Sequence, residues 1–218
     1  MNFKPVDMQL LDVISNIKSI PAGAINIRRD GEAVIRQSSP NIRVGTNADN
    51  NGLLVEIKPG TRNESVHVPV IVTRAGFHDK VYNTFVVGED ADVTIIAGCG
   101  IHNDSHSDSG HDGIHEIIVK KGARMKYVEK HYGEGSGQGK RILNPTTNIF
   151  LETGAVAEME MVQIKGVDDT VRTTNAHIGD KANLKIVERL MTHGEQKAVS
   201  DIRLCIEGQG GSGLLNGR

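Results

Sequence analysis

A chain of 218 residues is long enough to bury one sizeable core, and 25 Lys and Arg against 27 Asp and Glu leave no basic excess to hold a phosphate backbone. Aromatic residues make up 3%, with no Trp, so platforms for stacking bases are scarce and nucleic acid is not an expected partner. No run approaches the roughly 18 apolar residues of a membrane span, and MNFKPVDMQL holds no apolar segment of signal-peptide length. The expected setting is therefore cytoplasmic and reducing, with no membrane partner and with Cys99 and Cys205 as free thiols.

In PVDMQLLDVISNIKSIP, Leu10, Leu11, Ile14 and Ile17 recur at helical spacing and Pro21 follows. That pattern predicts a short helix over about residues 6–18, a capping or docking piece rather than a domain. Residues 1–20 are thus read as an N-terminal helical segment and residues 21–218 as one core.

From Gly23 the period changes. AINIRRDGEAVIR, LLVEIKPG, ESVHVPVIVT and NTFVVGEDADVTIIAG read as short strands broken by turns. VVGEDADVTII, VKKGARMKYVE, LETGAVAEMEMV and IGDKANLKIVE share one plan: an apolar residue, a polar turn, a small Ala, then a strand. Thr61, Ala91, Ala123, Ala155 and Ala182 mark the same phase, with Gly31 before them and Gly210 after. A period near 30 residues predicts stacked coils of a β-helix solenoid, in which each unit buries its apolar face against the next. An antiparallel sandwich with recurrent turns is the alternative.

YGEGSGQGKR looks like a phosphate loop but fails it. Arg141 stands where Ser or Thr is required, and Glu134 where the first Gly is required, so it reads as a flexible polar loop. No G-x-S-x-G elbow surrounds Ser136 or Ser212. GCGIHNDSHSDSGHDGIHE concentrates chemistry-bearing side chains instead. His102, His106, His111 and His115 could hold a metal ion beside Cys99. The alternative is a solvated surface loop, which His106 and His111 fit best. Cys99 ends an apolar strand between two glycines, which predicts an exposed sulfur that neighbouring histidines help to deprotonate. Cys205, inside IRLCIEG, is the one expected to be a small buried hydrophobe.

The stretch AGCGIHNDSHSDSGHDGIHEIIVKKGARMKYVEKHYGEGSGQGK resembles the SufB/SufD scaffold family of iron–sulfur cluster assembly. The shared pattern is Gly98-Cys99 at a strand end, a loop, His115, then Gly122-Ala123 and Lys126-Tyr127. IKPGTRNESVHVPVIV, VGEDADVTI, LNPTTNIFLETGAVAEMEMVQIKG and ERLMTHGEQ extend the likeness from about Ile20 to Glu207. The resemblance implies an all-β, right-handed parallel β-helix and a scaffold that is not itself an enzyme. It implies a SufC-type ATPase, a SufB/SufD-type subunit in a homo- or heterodimer, and a cysteine desulfurase with its sulfur carrier as partners. It implies Cys99 as sulfur acceptor and a sulfur path through His115, Lys126, Glu129 and His131. An iron–sulfur cluster would be held transiently, on the full assembly.

The family continues into further coils, with a second functional cysteine and a C-terminal helical contact for the ATPase, whereas this sequence stops at SGLLNGR. A fragment or shortened paralogue is expected, whose open last coil invites end-to-end association. Two other readings remain. One is a metal-binding β-solenoid holding a divalent ion in the 102–115 loop. The other is a non-catalytic paralogue that pairs with a functional scaffold subunit.

Overall fold

The computed structural model describes residues 3–47 and 52–218. Helix α1 spans Pro5–Ser15. Pro5 occupies the first helical position, where no N–H is needed, and the Asp7 carboxylate accepts from the Lys4 N–H at 2.8 Å. Asn16 ends the helix in the left-handed conformation, φ 55°, so the element stops three residues short of Lys18. Leu10, Leu11, Ile14 and Ile17 are all buried, as their spacing requires.

The strands are β1 (Ala24–Arg29), β2 (Glu32–Gln37), β3 (Ile42–Gly45), β4 (Leu53–Ile57), β5 (Arg62–Val72), β6 (His78–Val87), β7 (Asp92–His102) and β8 (Ser109–Val119). They continue as β9 (Arg124–Glu134), β10 (Arg141–Leu143), β11 (Thr146–Leu151), β12 (Val156–Lys165), β13 (Asp169–Ile178), β14 (Asn183–Leu190), β15 (Lys197–Ile206) and β16 (Ser212–Gly217). Sheet A runs β2-β1-β5-β7-β9-β12-β14-β16. Sheet B runs β3-β4-β6-β8-β11-β13, with β15 on β13 and β10 between β8 and β13. From β5 onward successive strands alternate between the sheets, except that β10 and β11 both belong to sheet B, and all pairing is parallel. The result is a β-solenoid of about six turns.

The sequence repeat is the corner from sheet B to sheet A. The N–H groups of Ala91, Ala123, Ala155 and Ala182 donate to Gly88, Lys120, Glu152 and Gly179 carbonyls at 3.0–3.2 Å. The residue before each, Asp90, Gly122, Gly154 or Lys181, has positive φ. Each alanine is at most 1% exposed, its methyl packed into the coil where only a small side chain is accommodated. Thr61 closes the same turn onto Lys58. The last equivalent is Gly211, which bonds Gly208, and Gly210 is its left-handed neighbour. Gly31 belongs elsewhere, to the antiparallel β1–β2 hairpin.

The opposite corners explain the glycine run. Residues 135–140 stack under residues 103–108, one coil away. A side chain at Gly135, Gly137 or Gly139 would run into the backbone of Asn103, Ser105 or Ser107. Gly137 N–H donates to Asn103 O at 3.1 Å, and Gly139 N–H to Ser105 O at 2.9 Å. Asp104 and Asp108 carboxylates accept from the Ser136 and Lys140 N–H groups at 2.7 and 2.8 Å. The stretch read as a flexible loop is a hydrogen-bonded layer whose positions 135, 137 and 139 leave no room for a side chain.

Candidate functional site

Inside the coils the side chains sort by position. Near the alanine corners the core is Val, Ile, Leu, Met and Phe85. Toward the other corners the same inward phase turns polar. On sheet A it passes from Cys99 to Glu129 and His131, Gln163 and Glu188. On sheet B it passes from Asn83 to His111 and His115, then Thr147, Arg172 and Thr174. Cys99, His111, His115, Glu129, His131 and Arg172 are each no more than 7% exposed. A polar row therefore follows the solenoid through successive coils.

Arg172 is its hub. Its Nη1 donates to Glu129 Oε2 at 2.6 Å, and its Nη2 donates to His131 Nδ1 at 3.1 Å. Its Nε lies 3.2 Å from Glu188 Oε1, an ion-pair contact without hydrogen-bond alignment. Tyr127 Oη donates to Glu129 Oε1 at 3.2 Å. Burial pushes the Glu129 carboxyl up, but His131 and Arg172 outweigh it and hold it well below the usual carboxylate range. Burial and the adjacent Glu129 push the Tyr127 phenol well up. Gln163 is fully buried with neither amide atom paired, and Thr174 Oγ1 is unpaired too. Buried polar groups of this kind are ordinarily satisfied by ordered water.

At the N-terminal end of the row Cys99 faces a cavity of about 20 Å³, room for about one water-sized species. His111, Gly113 and His115 line it from β8, Glu129 and His131 from β9, and Asn83 from β6. Burial, with the nearby Asp79 and Glu129 charges, pushes the Cys99 thiol well up, so it rests protonated. Burial pushes the His115 imidazole down to about 4, against the opposing pull of Glu129, and it rests neutral. His131 is lowered by burial as well. Behind His111 stands Asp79, gripped in bidentate fashion by Arg28 at 2.6 and 3.0 Å. Burial pushes Asp79 up, but His111 and Arg28 hold it well below the usual carboxylate range.

Several expectations are corrected here. Cys99 is 2% exposed, not open to solvent. Its flanking glycines seat α1 on the outer face of sheet A instead. A side chain at Gly98 would meet Ile14 Cβ at 3.1 Å, and one at Gly100 would meet Leu10 Cβ at 3.2 Å. Cys205 is the exposed thiol, on the outward phase of β15. Lys126 is exposed on the outer face of sheet A and lies off the interior row. His111 is buried inside β8 rather than solvated, because its stretch of the strand pairs with β6 on one side and β10 on the other.

The four histidines do not converge. His102 contacts Asp104 at 2.9 Å and Glu134 at 3.3 Å, and His106 bonds Gln138 at 3.0 Å, both at the loop layer. His111 and His115 point inward. Among the described residues no group of three or more His, Cys, Asp or Glu is placed to hold a metal ion. Asp79, Asn83, Gln163, Arg172 and Glu188 were not singled out by the sequence. The available signal was phase: Glu129, Arg172 and Glu188 each fall two residues from an inward-facing apolar or Thr position on an alternating strand.

No described helix is long and apolar enough to cross a membrane. No family model, no curated protein and no solved structure matches the chain.

Proposed function

We propose that this protein is a scaffold component of an iron–sulfur cluster assembly system of the SufB/SufD kind, in which Cys99 accepts sulfur and the interior polar row carries it along the solenoid. One observation supports the reading above the rest: a buried thiol faces a small cavity lined by His111, His115, Glu129 and His131 among apolar side chains, and a row of buried charged and unpaired groups lies beyond it in the same interior. A core built for stability alone gains nothing from Arg172, Glu129 and Glu188 there, since apolar side chains of similar volume are as stabilising or more so. The row runs through His115, Glu129 and His131, and on to Arg172 and Glu188. The iron–sulfur cluster is cargo, completed on a larger assembly. The partners are an ABC-type ATPase, a second scaffold subunit, and a cysteine desulfurase with its carrier.

The sulfur step is an exchange. The Cys99 sulfur attacks the outer sulfur of a donor persulfide, one S–S bond forms as another breaks, and the donor leaves as a thiol. Intact mass measured anaerobically, after incubation with cysteine, a desulfurase and its carrier, tests this. The expected result is a one-sulfur gain in the wild type and in Cys205→Ser, absent in Cys99→Ser. A gain confined to Cys205, or no gain in any form, would overturn the reading.

A further inference from the structure

Gly113 is an inward-facing position of β8 between His111 and His115 that has no side chain. A Cβ placed there would lie 3.1 Å from His111 Nε2 and 2.8 Å from His115 Nε2, so both ring nitrogens converge on one point. Cys99 lines the same cavity from β7.

The two rings are not equivalent. The Asn83 amide nitrogen can only donate, so His115 Nδ1, 3.3 Å away, accepts and the ring hydrogen is on Nε2. His111 Nδ1 lies 3.5 Å from Asp79 Oδ2. The negative carboxylate favours the hydrogen on that Nδ1 and leaves Nε2 as an acceptor. Over Gly113 there is thus one acceptor and one donor, with Asn83 bonded behind His115 and the Asp79 carboxylate in ionic contact, without hydrogen-bond alignment, behind His111.

We propose that the space over Gly113 is a subsite for a single sulfur atom bonded to Cys99, with His111 Nε2 taking the thiol proton and His115 Nε2–H donating to the outer sulfur. The proposal rests on Cys99 as the acceptor and adds the size of the cargo: one sulfane sulfur, not a chain of them. In the step, Cys99 Sγ bonds the donor's outer sulfur while its proton moves to His111. The donor's S–S bond breaks, and the departing thiolate recovers the proton. No oxidant or reductant is consumed.

The test uses a desulfurase, its carrier and cysteine, with intact mass read over time. Wild type should gain one sulfur at Cys99 and no second. Gly113→Ala, shown folded by circular dichroism, should gain it roughly 100-fold more slowly. Val70→Ala, which widens the same cavity, should accept a second sulfur. Gly113→Ala at the wild-type rate, Val70→Ala stopping at one sulfur, or wild type accumulating two would each overturn the subsite while leaving Cys99 as acceptor. No gain in the wild type would instead remove the acceptor reading and the subsite with it.

Discussion

Arg172 Nη1 meets Glu129 Oε2 at 2.6 Å although 43 residues separate them, and neither side chain is more than 3% exposed. The pair joins β13 to β9 across the inside of the solenoid, and Glu188 of β14 completes it. Taking such charges from water is costly, and the pairing offsets that cost only while every partner is present. Arg172→Met should therefore destabilise the fold by about 3–5 kcal/mol, because two buried carboxylates lose their cation. Adding Glu129→Gln and Glu188→Gln should recover most of the loss. Urea denaturation midpoints read both outcomes, and a triple variant no more stable than Arg172→Met would count against the charge argument.

The acid response has a definite sign. His115 is pushed down to about 4 from its ordinary 6.5 by burial, and His67 and His131 are lowered by burial as well. Between those values the unfolded chain binds more protons than the folded one, so stability falls as pH falls through the window. Each proton contributes a slope of at most about 1.4 kcal/mol per pH unit. Asp79 and Glu129 are lowered too, so further acidification acts in the same direction. Urea midpoints should decline steadily from neutral pH downward, with no compensating rise. His115→Asn should flatten the part of that decline lying above its folded value, and an unchanged slope would exclude His115 as a source.

How much of this could be read beforehand depends on which force sets each position. The corner alanines were legible because the coil corner imposes one demand every turn, a small side chain after a left-handed residue, and the chain answers it at Ala91, Ala123, Ala155 and Ala182. The strand β8 was not legible. Ser109, Gly110, Asp112 and Gly113 favour turns locally, and what makes them a strand is pairing with β6 and β10, to which local preference contributes little. The burial of Cys99 was hidden for a related reason. Gly98 and Gly100 are compatible with an exposed sulfur or with a neighbour packed on the far face, and only the docking of α1 decides between them. Arg172 and Glu188 look like outward charges unless the inward phase is carried through every strand.

The seating of α1 can be tested directly. Leu10 is fully buried, and a side chain at Gly100 would meet its Cβ at 3.2 Å. Leu10→Ala should cost about 2–5 kcal/mol through the cavity it leaves. Gly100→Val should cost about 1–3 kcal/mol through overpacking. In Leu10→Ala/Gly100→Val the new methyl groups enter the vacated space, so the double variant should be more stable than the summed losses by roughly 0.5–3 kcal/mol. Strict additivity would mean that the helix does not rest on Gly100.

The stacked loop layer gives the last prediction. Gly137 lies so close to Ser105 that a Cβ there must displace backbone, not a flexible side-chain end. The displaced segment would also lose the Gly137 N–H bond to Asn103 O and strain the neighbouring Gly139 bond to Ser105 O. Gly137→Ala should therefore cost about 1–3 kcal/mol, which for a chain of this length lowers Tm by roughly 2–4 °C per kcal/mol. Gly154 makes the contrasting case for space, since nothing lies within 4 Å of a Cβ there, although its φ of 69° carries a modest backbone cost of its own. If the run 133–139 were a loose linker, Gly137→Ala would instead be neutral or slightly stabilising, because alanine narrows the unfolded ensemble. Backbone amide exchange at residues 103–108 separates the two cases further. In a stacked layer, Gly137→Ala accelerates exchange one coil away at Asn103 and Ser105, whereas in a loose linker it leaves those amides unchanged.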